Sequence, residues 1–292
     1  MKNKKWKQMI TITQLSNTSP GIVHEAREEA FRGYETTWTR HQYEKLLQRR
    51  GYIPELSFGA FYGGRLVSFT LNCLGSYNGV TTAYDAGTGT IEEYRGLGIA
   101  ARIFNEALPF LKSAGVAQYI LEVLQHNTTA ASLYKSLGFS ITREFNYFVG
   151  NMAGMQENIK GLPPEIELRD ADLSQQDEMI QMWDCSPSWQ NSFESINRTI
   201  VDFKIIGAFH YNMLVGYGIT EPASGDITQL GVKPAYRRRG IGSCIFKKLL
   251  AYNKYSSAKV INTEKQLDHI TRFVENNGIF TQGSQFEMTL KL

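Results

Sequence analysis

The chain of 292 residues has little cysteine, a small net charge and no long apolar run. Cys73, Cys185 and Cys244 lie far apart and form no CxxC pair, so the sequence encodes no zinc ribbon or redox pair. An odd and sparse cysteine count fits a reducing cytosol better than a disulfide scaffold. The balance of 31 basic against 28 acidic residues is too even to indicate a nucleic-acid partner.

Membrane and metal signals are also lacking. No segment approaches the ~18 consecutive apolar residues that a membrane-spanning helix needs. The start is basic, with Lys2, Lys4 and Lys5, but no apolar stretch follows as it does in a signal peptide. The histidines show no metal-ligand spacing. We therefore expect a cytoplasmic protein with no membrane partner and no metal, present as a monomer or homodimer.

The same order of predicted strands and helices occurs twice along the chain. A length of 292 residues suggests two domains at roughly 100–200 residues each. Hydrophobic periodicity predicts strands and helices in one order over residues 9–149 and again after residue 164. The segment 150–164 has no clear period and contains two prolines and three glycines. The sequence thus predicts domains at 1–150 and 165–292, joined by a linker at 151–164.

One short string occurs in both halves. The first copy, TGTIEEYRGLGIAARIF, and the second, LGVKPAYRRRGIGSCIF, both contain Y-R-x-x-G-x-(G/A) between a predicted strand and a predicted helix. The two copies lie 142 positions apart. A turn of this kind directs backbone N–H groups and the positive end of a helix dipole at one point, which suits a diphosphate. Glycine lets the backbone approach the anion, and arginine adds charge-assisted hydrogen bonds.

The repeated string therefore supplies two sets of candidate binding residues. The first set is Arg95, Gly96, Leu97, Gly98, Ile99 and Ala100, and the second is Arg237, Gly240 and Gly242.

The first half resembles the GCN5-related N-acetyltransferase (GNAT) superfamily. The string R-x-x-G-x-(G/A) is similar to that superfamily's acetyl-coenzyme A pyrophosphate loop. A second family motif is matched by Asn127, Ala130, Tyr134, Gly138 and Phe139. The resemblance covers residues 9–149 and implies an α/β (α+β) fold. The whole chain looks like two tandem domains, each with a mixed, mostly antiparallel sheet, flanking helices and a splayed central strand pair.

The resemblance also implies a reaction. Members of the superfamily transfer an acetyl group from coenzyme A directly to an amine. By position, the backbone N–H of Thr90 or Ile91 would bind the developing oxyanion, and Tyr134 would protonate the departing thiolate. Asn127 would contact the cofactor and could also cap its helix. For the general base, Asp85, Glu122 and a base acting through water remain open.

The second half departs from the family pattern. Aligning Gly278 on Gly138 places Val274 opposite Tyr134 and Leu267 opposite Asn127. The second copy therefore keeps the loop but lacks the tyrosine hydroxyl and the asparagine. We expect the N-terminal domain to be catalytic, whereas the C-terminal domain could serve only in binding or assembly.

Two other interpretations stay open at this point. Residues 96–101 also match GxGxx(G/A), which is found in dinucleotide-binding oxidoreductases, although the second copy does not match it. Tyr134 lies at helical spacing from Ala130 and Leu137 and could be a core aromatic. The acceptor, a small-molecule or peptide amine, is not encoded by any motif.

Overall fold

The computed structural model describes residues 9–33, 38–152 and 161–292. The lysines at the start and residues 153–160 of the predicted linker lie outside the described residues. The chain divides into two compact units. Unit 1 comprises the residues up to Val123, Asn127–Thr142 and Glu287–Leu292, and unit 2 comprises Leu124–His126 and Arg143–Phe286.

The strands and helices of unit 1 follow one another in the order that the periodicity predicts. In chain order they are β1 Thr11–Gln14, α1 Pro20–Ala30, α2 Arg40–Arg50, β2 Phe58–Tyr62, β3 Arg65–Tyr77, β4 Val80–Thr90, α3 Ile99–Ser113, β5 Gln118–Leu124 and α4 Thr128–Ser136.

Glycine-containing turns define the antiparallel part of this unit. Strands β1 to β4 pair antiparallel with their sequence neighbours, whereas β5 pairs parallel with β4. Gly63 and Gly64 both have positive φ between β2 and β3, as do Asn78 and Gly79 between β3 and β4. Two central residues with positive φ match the right-handed twist of a two-residue hairpin, which explains why these dipeptides join the strands.

Helix α3 covers one face of the unit 1 sheet with an apolar stripe. Ile103, Phe104, Ala107 and Leu111 are buried along one side of the helix. The helix ends before Gly115, whose φ of +75° is the left-handed conformation typical of a helix C-terminus.

Unit 2 repeats this order of elements. It contains β6 Ser140–Asn151 from Arg143 onward, β7 Ile166–Asp170, α5 Gln176–Ile180, α6 Phe193–Arg198, β8 Lys204–His210, β9 Met213–Glu221, β10 Asp226–Val232, α7 Ile241–Tyr252, β11 Ser257–Glu264, α8 Asp268–Asn276 and most of β12 Phe280–Lys291. Strands β7 to β10 are antiparallel in sequence order, β11 runs parallel to β10, and β6 pairs antiparallel with β11. The fold is therefore mixed α/β with a mostly antiparallel sheet.

Two elements of unit 2 are shorter than their sequence pattern indicates. The periodicity predicts helices near 173–184 and 188–199, but α5 and α6 cover only Gln176–Ile180 and Phe193–Arg198. Single 3-10 turns take up part of the remainder. Met179, Met182 and Trp189 are almost fully buried in this region, so tertiary packing overrides the helical period.

The compact units also group some residues differently from the division suggested by the sequence. Residues 143–150, which the sequence places in the first domain, lie in unit 2, and Glu287–Leu292 lie in unit 1. Over the described ranges, no helix is both long and apolar enough to cross a membrane.

Candidate active site

The central strands of unit 1 separate part of the way along their length. Strand β4 pairs with β5 at Tyr84 opposite Ile120, and no pairing is described beyond that point although β4 continues to Thr90. Two parallel strands that part in this way leave backbone groups of β4 without a strand partner on that side. This wedge between the strands is the centre of the candidate site.

A bulge in β4 lies at the point where the strands part. Leu71 of β3 is opposite Gly87 and Asn72 is opposite Asp85, so Ala86 is the extra residue. Nη1 of Arg50 donates a hydrogen bond to the carbonyl oxygen of Ala86 at 3.0 Å. A bulge bends its strand and turns side chains in a new direction, and the arginine fixes that bend from α2.

The Asp85 carboxylate accepts three hydrogen bonds at this bulge. Oη of Tyr134 lies 3.0 Å from Oδ2 of Asp85. Oγ1 of Thr88 lies 2.7 Å from the same oxygen, and the Gly87 N–H donates to Oδ1 at 2.8 Å. Both Asp85 and Tyr134 are partly buried, which leaves the pair within reach of a substrate.

Burial shifts the titration of both groups. It raises the pKa of the Asp85 carboxyl, while the hydrogen bonds from Thr88 and Tyr134 act in the opposite direction. Burial, and next the negative charge of Asp85, raise the pKa of Tyr134 well above its usual value of 10.0. Tyr134 is therefore protonated at neutral pH and can act as a proton donor.

Glu122 binds Tyr84, the residue that precedes Asp85 on β4. Its Oε2 accepts a hydrogen bond from the hydroxyl of Tyr84. Burial lowers the pKa of Arg50, but electrostatic interactions with Tyr84 and Glu122 act in the opposite direction, and the net shift is upward. Of the two side chains that the sequence offers as the general base, Asp85 accepts a hydrogen bond from Tyr134, whereas Glu122 accepts one from Tyr84.

The loop that follows β4 has the backbone of an anion site. Gly96 and Gly98 have φ values of +73° and +72°, and a Cβ on either would meet nothing within 4 Å. Gly98 is the N-cap of α3, and the Arg102 N–H donates to its carbonyl oxygen at 3.2 Å. The first N–H groups of the helix are thus outside the intrahelical ladder, and a diphosphate could approach them.

The side chain of Arg95 holds this loop in place. Its Nε donates to the carbonyl oxygen of Thr90 at 3.1 Å and its Nη2 donates to that of Ala30 at 2.8 Å. The sequence assigns Arg95 to the phosphate, whereas these contacts tie the loop to the ends of β4 and α1. Arg95 therefore positions the loop, whose backbone N–H groups face the candidate anion site.

The two candidate oxyanion donors are placed differently. The Ile91 N–H donates to the carbonyl oxygen of Val67 on β3 at 2.9 Å, so it is already used within the sheet. Neighbouring N–H groups along a strand point to opposite sides. The Thr90 N–H therefore points away from β3, toward the wedge.

Asn127 caps the helix that carries Tyr134. Its Oδ1 accepts a hydrogen bond from the Ala130 N–H at 3.1 Å at the start of α4. The structure thus shows the capping contact that the sequence suggests.

The second copy of the loop has a similar backbone with different surroundings. Arg238 and Gly240 have φ values of 64° and 84°, at the positions of Gly96 and Gly98. Arg237 donates to the carbonyl oxygens of Val232 at 2.9 Å and Met182 at 3.3 Å, in the manner of Arg95.

Carboxylates neutralise arginines of this second loop. Nη1 of Arg237 lies 2.9 Å from Oδ1 of Asp184, and Arg239 forms an ion pair with Glu165. These ion pairs weaken the attraction of the second loop for a diphosphate.

Two candidate site residues of unit 1, Tyr134 and Asn127, have apolar counterparts in unit 2. Val274, aligned with Tyr134, is 3% exposed in the apolar core. Leu267, aligned with Asn127, is the N-cap of α8 and makes no capping hydrogen bond through its side chain. Gly242 belongs to the second copy of the loop string, and a Cβ added to it would make ordinary van der Waals contact with the Phe273 ring at 3.5 Å. Unit 2 therefore repeats the fold without a hydroxyl in the position of Tyr134.

Sequence reasoning missed the residues that support the site. Thr88 binds Asp85 and also lies 3.1 Å from the hydroxyl of Thr70, and Arg50 binds the bulge. A threonine three positions after Asp85 is a weak signal, because an undisturbed strand would place these two side chains on opposite faces. The bulge at Ala86 brings them together.

Part of the chain is similar to known acetyltransferases. Residues 23–139 match the acetyltransferase (GNAT) family. The chain is 31% identical over 100 residues to N-alpha-acetyltransferase MAK3 of Arabidopsis thaliana and 32% identical over 98 residues to N-alpha-acetyltransferase 30 of Schizosaccharomyces pombe. These alignments include 34% and 33% of this chain and span 53% and 65% of the two relatives' own lengths.

The fold of the whole chain also has a solved counterpart. A tandem GNAT protein from the clavulanic acid biosynthesis pathway superposes with a TM-score of 0.73 over 97% of this chain and 98% of its own, at 12% identity. At that identity the likeness concerns the fold alone. The family match at residues 23–139 and the two related N-alpha-acetyltransferases support a protein of the GNAT superfamily.

Proposed function

We propose that the protein transfers an acetyl group from acetyl-coenzyme A to a primary amine, and that unit 1 carries out the reaction. The observation that supports this most is the hydrogen bond between Tyr134 and Asp85 at the parting of β4 and β5. The glycine loop at the start of α3 provides backbone N–H groups for the diphosphate of the co-substrate. The match to the acetyltransferase family favours this reaction over that of a dinucleotide-binding oxidoreductase.

Each polar group of the wedge has one role in the proposed acetyl transfer. Asp85 accepts a proton from the attacking amine, which forms the new C–N bond to the acetyl carbon. The Thr90 N–H stabilises the negative charge on the acetyl oxygen. As the C–S bond breaks, Tyr134 gives its proton to the sulfur, and Asp85 then returns a proton to Tyr134 through their hydrogen bond. The proton lost by the amine thus balances the proton gained by the thiol.

The raised pKa of Asp85 suits this cycle. A carboxylate of ordinary pKa is a weak base toward an ammonium group, and burial makes Asp85 a stronger base. Tyr134, with its raised pKa, would take the proton back readily after each transfer.

Unit 2 has a different part in the proposal. Its loop arginines pair with Asp184 and Glu165, and Val274 replaces the catalytic tyrosine. We assign it to binding or assembly, with no proton transfer of its own. The acceptor remains a primary amine of a small molecule or a peptide. The N-alpha-acetyltransferase relatives make peptide N-termini the first class to test.

A ligand comparison followed by an acceptor screen tests the proposal. Acetyl-coenzyme A should raise the melting temperature because it binds the folded state, with a gain of about 2.7 kcal/mol at about 100 times its Kd. Release of free coenzyme A is then followed with a panel of short peptides with free N-termini and small primary amines. Stabilisation by NADH but not by acetyl-coenzyme A, with no coenzyme A released, would refute the proposed function.

A further inference from the structure

The central strands of unit 2 part at the same place as those of unit 1. Strand β10 pairs with β11 at Asp226 opposite Lys259, and over the described residues no later pair follows, although β10 continues to Val232. A bulge again lies next to this point, since Thr228 is the extra residue of β10 and lies 142 positions after Ala86. Unit 2 therefore has a wedge of its own between β10 and β11.

One residue, Asn191, bridges the two walls of this wedge. Its Nδ2 donates to the carbonyl oxygen of Ile261 on β11 at 2.9 Å. Its own carbonyl oxygen accepts a hydrogen bond from Nε2 of Gln229 on β10 at 2.6 Å. Both partners lie beyond the point where the strands pair, and Asn191 is only 3% exposed. Asn191 therefore lies inside the wedge and is linked to both of its strands.

Asn191 is the last residue of a segment that follows the wedge. We call this segment, residues 184–191, the strap. Oγ of Ser188 accepts a hydrogen bond from Nδ2 of Asn262 on β11 at 2.9 Å. Ser188 and Trp189 are almost fully buried, with 0% and 1% of their surface exposed. The second half of the strap is thus packed into unit 2 and bound to β11.

The first half of the strap is also tied down. Nη1 of Arg237 in the second loop lies 2.9 Å from Oδ1 of Asp184, and Nε2 of His269 on α8 lies 3.1 Å from Oδ2. Nη1 of Arg143 donates to the carbonyl oxygen of Ser186 at 2.7 Å. The strap is therefore held at its start, its middle and its end by side chains of unit 2.

The glutamine that binds Asn191 has a glycine as its counterpart in unit 1. The spacing of 142 positions, shared by the two loops and the two bulges, places Gln229 at the position of Gly87. Oε1 of Gln229 accepts a hydrogen bond from the Tyr217 hydroxyl at 2.7 Å, and Nε1 of Trp183 donates to that hydroxyl at 2.7 Å. These bonds fix the amide with its nitrogen toward Asn191. Gly87 has no side chain with which to make such a link.

We propose that the strap closes the wedge of unit 2 from within and keeps acetyl-coenzyme A and acceptor amines out of it. In unit 1 the proposed reaction takes place between the parted strands, whereas in unit 2 the Asn191 amide occupies that space. The inference goes beyond the proposed function and rests on it only for the identity of the excluded ligands.

Cys185 makes the opening of the strap measurable. Burial, and next an electrostatic interaction with Glu264, raise the pKa of its thiol to about 11. Alkylating reagents react with the thiolate, so a closed strap keeps Cys185 slow to react at about pH 8. When the strap leaves the wedge, the thiol becomes exposed and its pKa falls toward ~8.5, so its labelling rate rises.

Asn191→Ala and Gln229→Ala test the strap in the full chain. Each variant removes one link between the strap and a wall of the wedge and leaves a buried polar group unpaired, which favours opening. Iodoacetamide labelling of Cys185, followed by peptide mass spectrometry, should become at least about fivefold faster in both variants. The labelling rate of Cys244, on α7 of the same unit, should change less than about twofold, because unit 2 stays folded.

A control variant and a ligand complete the experiment. Asn277→Ala removes a side-chain hydrogen bond to a backbone carbonyl of unit 2 outside the strap, the one to Phe273 at 2.8 Å, and should leave the Cys185 rate unchanged. Saturating acetyl-coenzyme A should also leave the Cys185 rate of the wild type unchanged, because the closed wedge does not admit it.

The outcomes separate this inference from the proposed function. An unchanged Cys185 rate in either strap variant, or an equal rise in Asn277→Ala, would overturn the inference. A Cys185 rate that acetyl-coenzyme A alters more than about fivefold in the wild type would also overturn it, since the co-substrate would then cover or displace the strap. A wild type that binds no acetyl-coenzyme A would count against the proposed function alone, because the two strap variants need no ligand.

Discussion

The hydroxyl of Tyr134 donates a hydrogen bond to Asp85 at 3.0 Å, and its removal should affect turnover far more than structure. In Tyr134→Phe the ring can still pack on Phe139, whose centroid lies 5.6 Å away. General acid–base groups typically contribute ~10²–10⁴-fold to the rate. We therefore expect kcat to fall by that order with little change in the Kd for acetyl-coenzyme A, measured by steady-state kinetics and calorimetry. An unchanged kcat would return Tyr134 to the role of a core aromatic.

The raised pKa of Asp85 predicts how stability depends on pH. Because the folded state holds this proton more firmly than the unfolded state, Asp85 favours folding below the unfolded pKa of ~3.9 and loses that contribution as pH rises through its folded pKa. Asp85→Asn has no such titration.

The free energy of unfolding of Asp85→Asn, relative to wild type, should therefore increase between pH 4 and pH 8. Urea denaturation of both proteins at the two pH values measures this difference. A difference that stays constant or decreases over this range would contradict the assigned shift. The same variant should lose acetyl transfer, because an amide cannot accept the amine proton.

The sequence could indicate some site residues and not others, for a physical reason. Tyr134 and Asn127 belong to a local string, and Asp85 is a carboxylate in a predicted strand, so their residue type and spacing point to them. Gly87 and Arg50 have no such string. Their positions depend on the bulge at Ala86, and this follows from pairing between β3 and β4. The role of Arg95 in positioning the loop could not be predicted from the sequence either, because the Ala30 carbonyl that its side chain binds is distant along the chain.

Turns and helix ends are the elements that the sequence predicts best. The sequence predicts turns at Gly63-Gly64 and Asn78-Gly79 and a helix end at Gly115. All five residues have positive φ in the structure, which is a local property of these residue types. The helices expected near 173–184 and 188–199 are wrong in length. Their apolar residues are buried through short turns as well as helix, and local periodicity cannot distinguish these two ways of burying a side chain.

Helix α4 depends on its cap to present Tyr134. Asn127→Ala removes the acceptor of the Ala130 N–H and should lower the free energy of unfolding by about 1 kcal/mol. Serine is an equally good capping residue, so Asn127→Ser should recover most of that loss in urea denaturation. If capping is the main role, acetyl transfer should recover together with stability. Recovered stability without recovered activity would instead indicate direct contact between Asn127 and the co-substrate.

The grouping of strands is a property of the whole molecule that local patterns do not specify. Periodicity identifies residues 139–149 as a strand, but does not indicate which strand pairs with it. From Arg143 onward this strand lies in unit 2, where Lys259 of β11 is opposite Val149. The last six residues lie in unit 1, where the Leu292 N–H donates to the Ala117 carbonyl oxygen at 3.0 Å. The division of the chain into domains at 1–150 and 165–292 stays a proposal.

Two copies of one loop make unit 1 and unit 2 directly comparable. Gly98 and Gly240 are both the N-cap of the helix that follows the loop, and both have the left-handed backbone, with φ values of 72° and 84°. Aspartate at either position therefore carries a similar backbone strain and places a negative charge at a similar point. A difference in activity between the two variants then reports which loop binds the co-substrate.

The initial rate of acetyl transfer in Gly98→Asp and Gly240→Asp, measured side by side with wild type, tests most directly whether unit 1 holds the active site. A carboxylate at the first loop should repel the diphosphate, so we expect Gly98→Asp to lose transfer and acetyl-coenzyme A binding. Gly240→Asp should keep much of the rate, with any loss matched by a lower melting temperature. Transfer that persists in Gly98→Asp and disappears in Gly240→Asp would contradict the account and place the active site in unit 2.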